Sequence, residues 1–215
     1  MAKLYYKYGA MGSSKTANAL ICKFNYEERG FKVLLLKPEI DDRDLIGGEI
    51  VVKSRIGLSS PCIAIGKYTN LKELFYAERK NVNYEVVIVD ECQFLTKEQV
   101  EQLKEISANY TVLCYGLLTD FKTELFEGSK RLVELADSLQ EIKSICKCGK
   151  KANVNIRFVS GKLTTDGDAV AIEKGNVTYE PMCYACFLEE KKRQEADYCC
   201  NVVASTPKNS NEDED

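Results

Sequence analysis

An eight-residue segment near the N-terminus limits the folds open to this 215-residue chain more than any other feature. It reads GAMGSSKT from Gly9 to Thr16, follows the apolar run LYYKY and leads into residues with helical spacing. The pattern G-x-x-x-x-G-K-[ST] has the same layout, and in it backbone N–H groups and a helix N-terminus surround the oxygens of a phosphate. A strand, a loop of small residues and a helix in this order predict a phosphate-binding site.

The residue types of the segment suit that role. Gly9 and Gly12 let the chain wrap tightly around an anion. We expect Lys15 to reach the β- and γ-phosphates of a nucleotide and the Thr16 hydroxyl to bind Mg²⁺. The alternative interpretation is a turn of small residues that leads into a helix. The predicted nucleotide-binding residues of the segment are Gly9, Ala10, Met11, Gly12, Ser13, Ser14, Lys15 and Thr16.

One position departs from the pattern, because Ser14 stands where the second glycine is expected. A serine fits there if its backbone already has helical dihedral angles, since a side chain then costs little. We therefore expect a helical φ at Ser14, with the unusual φ angles nearer Gly9 and Gly12. A left-handed φ at Ser14 would contradict this expectation.

Apolar runs alternate with segments of helical spacing along the N-terminal part of the chain. Near-continuous apolar strands separated by amphipathic helices predict a parallel sheet with helices on both faces, which is an α/β fold. Later in the chain, the alternation of Val154, Ile156 and Phe158 predicts a strand with one buried face. The apolar runs cover residues 4–8, 32–36, 85–90 and 111–116, and the helical segments cover residues 16–29, 71–80 and 97–108.

A pair of acidic residues, Asp90 and Glu91, ends the apolar run VVIV. In sheets of this kind, an acid at the carboxyl end of a strand beside the phosphate loop organises Mg²⁺. Glu91 is the evident base near the loop, and it could accept a proton from a hydroxyl or orient water. These residues alone do not decide between a kinase and an ATPase. The alternative interpretation of the pair is a polar strand end or a cap for the helix after Thr96.

The chain has 10 cysteines and no histidine. Without histidine, Ser-His and Cys-His catalytic pairs are excluded, and a zinc site has to be built from cysteine, with a carboxylate as the other candidate ligand. Two close pairs have a spacing that suits tetrahedral Zn²⁺ with no open position, so the zinc would be structural. Free core thiols are the alternative. The predicted ligands are Cys146, Cys148, Cys183 and Cys186.

Charge and hydropathy exclude some classes of protein. A net charge of −3 and a pI of about 5.4 argue against a general nucleic-acid binder. No apolar run reaches the ~20 residues of a membrane span, and the N-terminal residues lack the layout of a signal peptide. We therefore expect a cytoplasmic protein without nucleic-acid or membrane partners.

Together these motifs resemble the thymidine kinase family, in its cytosolic, zinc-containing type. The similarity extends from about Lys3 to Phe187. The ordered blocks that carry it are GAMGSSKT, LLLKPEIDDRD, SRIG, VVIVDECQF, CYGLLTDF with LFEGSK, CKCGKKA and YEPMCYAC. The resemblance implies transfer of the ATP γ-phosphate to the 5′-hydroxyl of thymidine, with Glu91 as the base.

The resemblance also implies roles for further residues. Asp41 would help to hold Mg²⁺, and Arg43 follows it at the family spacing. Asp90, Cys92 and Gln93 would lie in the stretch that contacts the nucleotide. Residues implied at the thymine pocket are Phe94, Leu117, Phe121 and Tyr179, although core packing is the alternative for the first three.

Organisation and partners follow from the same resemblance. It implies a P-loop ATP-binding domain over residues 1–143 and a small zinc-ribbon-like domain with a substrate loop over 144–190. The acidic C-terminal end STPKNSNEDED lacks apolar residues, and we expect a largely disordered tail over 191–215. It further implies a homotetramer, deoxyuridine as a second candidate nucleoside, and dTTP as a feedback ligand. The chain departs from the family at Ser14, at the C-x-C pair, at Cys186, where some members have histidine, and at Glu173 and Lys174 in the substrate loop.

Two other classes fit the sequence less well. The letters DECQ resemble a helicase motif, but a helicase needs a second motor domain and a basic track, and an acidic chain of 215 residues has no room for that domain. A nucleotide-switch module is the weakest alternative, because no N-K-x-D guanine-reading motif is present.

Overall fold

The computed structural model describes residues 3–40, 45–46, 49–165, 167 and 176–204. The helices are α1 (Lys15–Glu28), α2 (Leu71–Glu78), α3 (Lys97–Ile106), α4 (Glu127–Leu135) and α5 (Tyr184–Ala204). The strands are β1 (Leu4–Tyr8), β2 (Lys32–Pro38), β3 (Leu45–Ile46), β4 (Glu49–Lys53), β5 (Ser59–Pro61), β6 (Ile63–Ile65), β7 (Tyr84–Val89), β8 (Thr111–Gly116), β9 (Ser138–Glu141), β10 (Ser144–Ile145), β11 (Lys151–Ala152), β12 (Val154–Val159), β13 (Lys162–Thr164) and β14 (Val177–Met182).

The main sheet has six strands in the order β6-β2-β7-β8-β1-β9, and every pairing in it is parallel. The register aligns Leu36 of β2 with Val89 of β7, and Val89 with Cys114 of β8. The carboxyl ends of β2, β7 and β8 therefore lie at one edge of the sheet. This edge is where ligands bind in open α/β sheets.

Helices cover both faces of this sheet. On one face, residues such as Leu34, Val87 and Val112 form a hydrophobic core with α2, α3 and α4. On the other face, residues such as Leu35 and Ile88 pack against α1 and β4. Burial on both faces explains why these strands are almost continuously apolar, and the predicted α/β fold is confirmed.

The C-terminal unit consists of small antiparallel sheets, β10-β11 and β13-β12-β14, followed by α5. Val154, Ile156 and Phe158 are buried in its core, as their alternation predicts. Ala10 of the phosphate loop belongs to the same core. The C-terminal unit therefore packs directly on the loop that opens α1.

Helix α5 extends beyond the predicted start of the tail. Residues 191–204 are helical, contrary to the expectation of a largely disordered tail, and residues 205–215 lie outside the described residues. The stretch that continues the helix is rich in Glu, Lys, Arg, Gln and Ala, which all favour helix. Among the described residues, no helix is long and apolar enough to span a membrane.

Candidate functional site

A cavity of about 500 Å³ lies at the carboxyl edge of the main sheet. The phosphate loop forms one wall, and the tip of the β4–β5 hairpin, residues 53–57, lines another part. The segment 90–94 after β7 and the segment 117–121 after β8 complete it, with contributions from β12 and β14. The cavity is the size of a typical small-molecule site.

The Lys15 side chain is folded into the phosphate loop. Its Nζ donates hydrogen bonds to the carbonyl oxygens of Gly9 at 3.1 Å and Ala10 at 2.9 Å, and to Ser13 Oγ at 3.3 Å. Burial lowers the pKa of Lys15, while the nearby carboxylates of Glu91 and Asp90 oppose this shift. The ammonium group is therefore held in a buried position that suits an anion beside it.

Ser14 does not have the helical φ that we expected. Its φ is 60° and its ψ is 28°, in the left-handed region, so the expectation is wrong. Ser14 is the N-cap of α1, and its carbonyl accepts hydrogen bonds from Asn18 N and Asn18 Nδ2, both at 2.9 Å. The loop needs a left-handed residue at this position whichever side chain it carries, which explains the glycine of the common pattern.

Gly9 and Gly12 meet different requirements. Gly12 has a φ of +72°, as expected for the loop. A Cβ on Gly9 would lie 2.2 Å from the carbonyl oxygen of Ile142, so close packing requires this glycine.

Asp90 is 3% exposed at the end of β7. Burial, followed by the charge of Glu91, raises the pKa of Asp90 to about 7, while a hydrogen bond from Thr16 and the charge of Lys15 act in the opposite direction. A hydroxyl and a carboxyl side by side are ligands that Mg²⁺ prefers. A cation here would also favour the ionised carboxylate, so the two residues fit a magnesium site.

The carboxylate of Glu91 is held by Gln93. Gln93 Nε2 donates to Glu91 Oε2 at 2.6 Å, and Gln93 Oε1 accepts a hydrogen bond from Leu117 N at 3.0 Å. Glu91 itself has a φ of 51°, so its backbone is in the left-handed region. One buried amide thus fixes both the acid after β7 and the backbone after β8.

Apolar and aromatic side chains line the far side of the cavity, and Phe94, Leu117, Phe121 and Tyr179 are brought together there. The rings of Phe121 and Tyr179 lie 6.4 Å apart at an angle of 60°. The loop that carries Phe121 is shaped by Asp120, whose Oδ1 accepts hydrogen bonds from the backbone N–H groups of Lys122 and Glu124.

The family profile for thymidine kinase matches residues 2–187 of the chain. The chain belongs to the thymidine kinase family. It is 47% identical to the thymidine kinase of Aliivibrio fischeri over 196 residues, which cover 88% of this chain and 98% of that protein. The thymidine kinase of Shewanella oneidensis is 45% identical over 192 residues, with coverage of 88% and 98%. That of Yersinia pseudotuberculosis is 42% identical over 204 residues, with coverage of 94% and 100%.

Not every residue that the thymidine kinase resemblance implied lies at the cavity. Cys92 lies in the stretch predicted to contact the nucleotide, but its side chain is fully buried in the hydrophobic core between the sheet and its helices and does not line the cavity. Burial also raises the pKa of its thiol. Asp41, Arg43, Glu173 and Lys174 lie outside the described residues.

Sequence reasoning missed several residues that line the cavity. Lys37 is 2% exposed at the end of β2, and Arg55 lies at the hairpin tip. Phe126 packs against Phe94 with ring centroids 5.8 Å apart. Lys37 lies in the block LLLKPEIDDRD and Arg55 in the block SRIG, both of which carry the family resemblance, and this was the signal that could have identified them. Asn155 gave no signal in the sequence, because it alternates with Val154 and Ile156 and so lies on the strand face that the pattern predicts to be exposed.

The four cysteines of the C-terminal unit lie together. The Sγ atoms of Cys146, Cys148, Cys183 and Cys186 are all within 4.8 Å of one another. Backbone hydrogen bonds from Cys148 and Cys183 lower the pKa of Cys146 to about 6, and a backbone hydrogen bond from Cys186 lowers the pKa of Cys183. Side-chain hydrogen bonds with Cys148 and Cys183 raise the pKa of Cys186 to about 12. The proximity of four sulfur donors, which a bound cation would favour as thiolates, fits a closed site for Zn²⁺.

Proposed function

We propose that the chain transfers the γ-phosphate of ATP to the 5′-hydroxyl of thymidine and yields dTMP. The observation that carries this proposal is the single cavity in which a phosphate loop, a fixed carboxylate and an aromatic wall face one another. Membership of the thymidine kinase family supports the same reaction. An ATPase would need no binding site for a second substrate beside the phosphate loop.

The donor side of the reaction is assigned to the phosphate loop. Gly9 N and Met11 N donate to Gly116 and Asn155, so the backbone N–H groups of residues 14–16 at the start of α1 would bind the phosphates. Lys15 would exchange its bonds to the loop carbonyls for phosphate oxygens. Thr16 and Asp90, with Asp41 outside the described residues, would hold Mg²⁺. When bound, Mg²⁺ neutralises charge on the phosphate oxygens. Arg43 would stabilise the same charge.

The acceptor side is assigned to Glu91. A carboxylate next to the phosphate loop can take the proton of the 5′-hydroxyl as that oxygen attacks phosphorus. The hydrogen bond from Gln93 fixes the orientation of the Glu91 carboxylate beside the phosphate loop. Loss of such a base slows proton transfer by ~10²–10⁴-fold.

The thymine base is assigned to the aromatic wall. A flat pyrimidine fits between aromatic and aliphatic side chains, with few polar groups at its edge. The substrate-binding residues that we propose are Phe94, Leu117, Phe121 and Tyr179.

The domain division supports a structural role for zinc. We assign residues 1–143 to ATP binding and 144–190 to a unit that carries the metal site and the substrate loop. Four thiolate ligands would leave no open position, so zinc would stabilise the unit without taking part in the reaction. Reduced cysteines of this kind suit the cytoplasm, where we place the protein.

Regulation and assembly follow from the same chemistry. dTTP carries both a thymine and a triphosphate, so it has the groups that the cavity would bind, and we propose it as a feedback inhibitor. Deoxyuridine lacks only the methyl group of thymine, and one methyl gives modest discrimination.

Exposed apolar side chains on and after α1, namely Ile21, Phe24 and Phe31, support a homotetramer.

An ATP-coupled assay across the natural deoxynucleosides tests the proposed function. ADP release should require thymidine and Mg²⁺, and dTMP should form in equal amount. Deoxyadenosine and deoxyguanosine should give little turnover. Turnover without any nucleoside, or turnover that requires nucleic acid, would contradict the proposal.

A further inference from the structure

Asn155 connects two walls of the cavity. It lies on β12 of the C-terminal unit, lines the cavity and is 4% exposed. Its Oδ1 accepts a hydrogen bond from Met11 N at 2.7 Å, and its Nδ2 donates to the carbonyl oxygen of Thr119 at 3.3 Å. A polar side chain so deeply buried is costly unless both ends of its amide are paired, as they are here.

The two partners belong to different parts of the site. Met11 lies in the middle of the phosphate loop, and its carbonyl is held separately by Ser144 Oγ at 3.1 Å. Thr119 opens the turn that presents Phe121, and it forms an isolated bridge with Leu125 at the other end of that turn. Asn155 is therefore placed between the segment assigned to the phosphate donor and the segment assigned to the nucleoside.

The distance between these segments matters for phosphoryl transfer. This reaction depends almost entirely on positioning and electrostatics, because there is little covalent chemistry for the protein to do. Displacement of a reacting group by about 1 Å can lower the rate by ~10²-fold. A side chain that fixes the phosphate loop relative to the nucleoside wall would thus act on the rate more than on the affinity for either substrate.

We propose that Asn155 is a positioning residue, which sets the separation of the phosphate loop and the nucleoside wall through its two hydrogen bonds. The inference rests on the proposed function, since it assigns the two walls to ATP and thymidine. An amide suits this role because one end accepts a hydrogen bond and the other donates one. A carboxylate or a hydroxyl in its place could not satisfy both backbone groups in the same geometry.

Steady-state kinetics of three variants test the proposal. Asn155→Ala removes the hydrogen bonds to Met11 N and to the Thr119 carbonyl oxygen, and Ser144→Ala removes only the hydrogen bond to the Met11 carbonyl oxygen. Asn153→Ala changes the same residue type two positions away, where the side chain is exposed, and serves as the control. Each variant is assayed well below its own melting temperature, with ATP and thymidine varied in turn.

We expect Asn155→Ala to lower kcat by ~10-fold or more, with the KM values for ATP and thymidine within ~3-fold of the unmodified protein. Ser144→Ala should lower kcat less, because the link to Thr119 remains, and Asn153→Ala should leave kcat unchanged.

An unchanged kcat in Asn155→Ala would overturn the inference. A rise in the thymidine KM alone would also overturn it, because it would indicate that Asn155 only contacts the bound nucleoside. Equal losses in Asn155→Ala and Ser144→Ala would also overturn it. Activity of the unmodified protein with thymidine reports on the proposed function separately.

Discussion

Two residues at the site have left-handed backbones without being glycine. Ser14 has a φ of 60° and Glu91 a φ of 51°. Ser14 turns the chain from the phosphate loop into α1, and Glu91 turns it from β7 towards Gln93. For an L-residue, the left-handed region costs roughly 1–2 kcal/mol, so the backbone angles at both positions lower the free energy of unfolding.

Ser14→Gly tests this account of the phosphate loop. Glycine adopts the left-handed region without a steric cost, although it loses more entropy on folding. We expect the free energy of unfolding to increase by about 0.5–1 kcal/mol, measured by urea denaturation. Ser14→Ala keeps the Cβ and should give no such gain. A Ser14→Gly protein no more stable than Ser14→Ala would contradict the account.

The sequence predicted which residues form the phosphate loop but not their backbone angles. The pattern places Lys15 and Thr16 correctly at the start of α1 and beside Asp90. The glycine of the common pattern was a signal for a left-handed residue at position 14, but the steric preference of a serine predicts the opposite, and the surrounding loop overrides that preference. The link that Gln93 makes between Glu91 and Leu117 was equally hidden, since Leu117 is distant in the chain.

At the scale of elements, long apolar runs were predicted well and short or polar elements were not. The predicted run at 111–116 coincides with β8, and the helical segments at 71–80 and 97–108 contain α2 and α3. β9 was missed, because its sequence SLQE is mostly exposed and only its pairing with β1 makes it a strand. α4 was missed too. It carries Gly128, which is a weak helix former but lets the helix approach Leu95 closely.

The C-terminal unit packs on the phosphate loop, and this contact gives a prediction for its metal site. Cys183→Ser removes one of the four thiolates, so we expect the bound zinc to fall from about one per chain to near zero by metal analysis. Because Ala10 shares the core of this unit, the affinity for a non-hydrolysable ATP analogue should also fall.

Cys62→Ser is the matched control for the metal site. Cys62 lies outside the cluster, and its Sγ contacts the Ile50 carbonyl oxygen at 3.6 Å, a contact that a hydroxyl can keep. This variant should retain its zinc and its nucleotide affinity. Full zinc content in Cys183→Ser, or none in the unmodified protein, would show that the cluster is not a zinc site.

At the scale of the whole molecule, exposed apolar side chains gather along one side of α1 and after it. Ile21 is 47%, Phe24 61% and Phe31 40% exposed. Phe31 also packs edge-on against Tyr26, with ring centroids 5.8 Å apart. Side chains of this size are expected at an interface between subunits rather than in water.

Phe24→Glu tests the proposed tetramer. A charge placed in an apolar interface is unpaired and costly, so the variant should have a lower mass by light scattering than the unmodified protein. Tyr68→Glu is the control, because Tyr68 is 93% exposed and belongs to the turn between β6 and α2 rather than to α1. If Phe24→Glu kept the mass of the unmodified protein, α1 would not be part of an interface.

The most direct test of the central claim is the single-turnover rate of phosphate transfer from labelled ATP to thymidine in Glu91→Gln. The amide of this variant can still accept the hydrogen bond from Gln93, so the site keeps its shape while it loses the base. We predict that dTMP forms ~10²-fold or more slowly, whereas the affinity for a non-hydrolysable ATP analogue changes little. Formation of dTMP at the rate of the unmodified protein would contradict the assignment of Glu91 and the account of the site built on it.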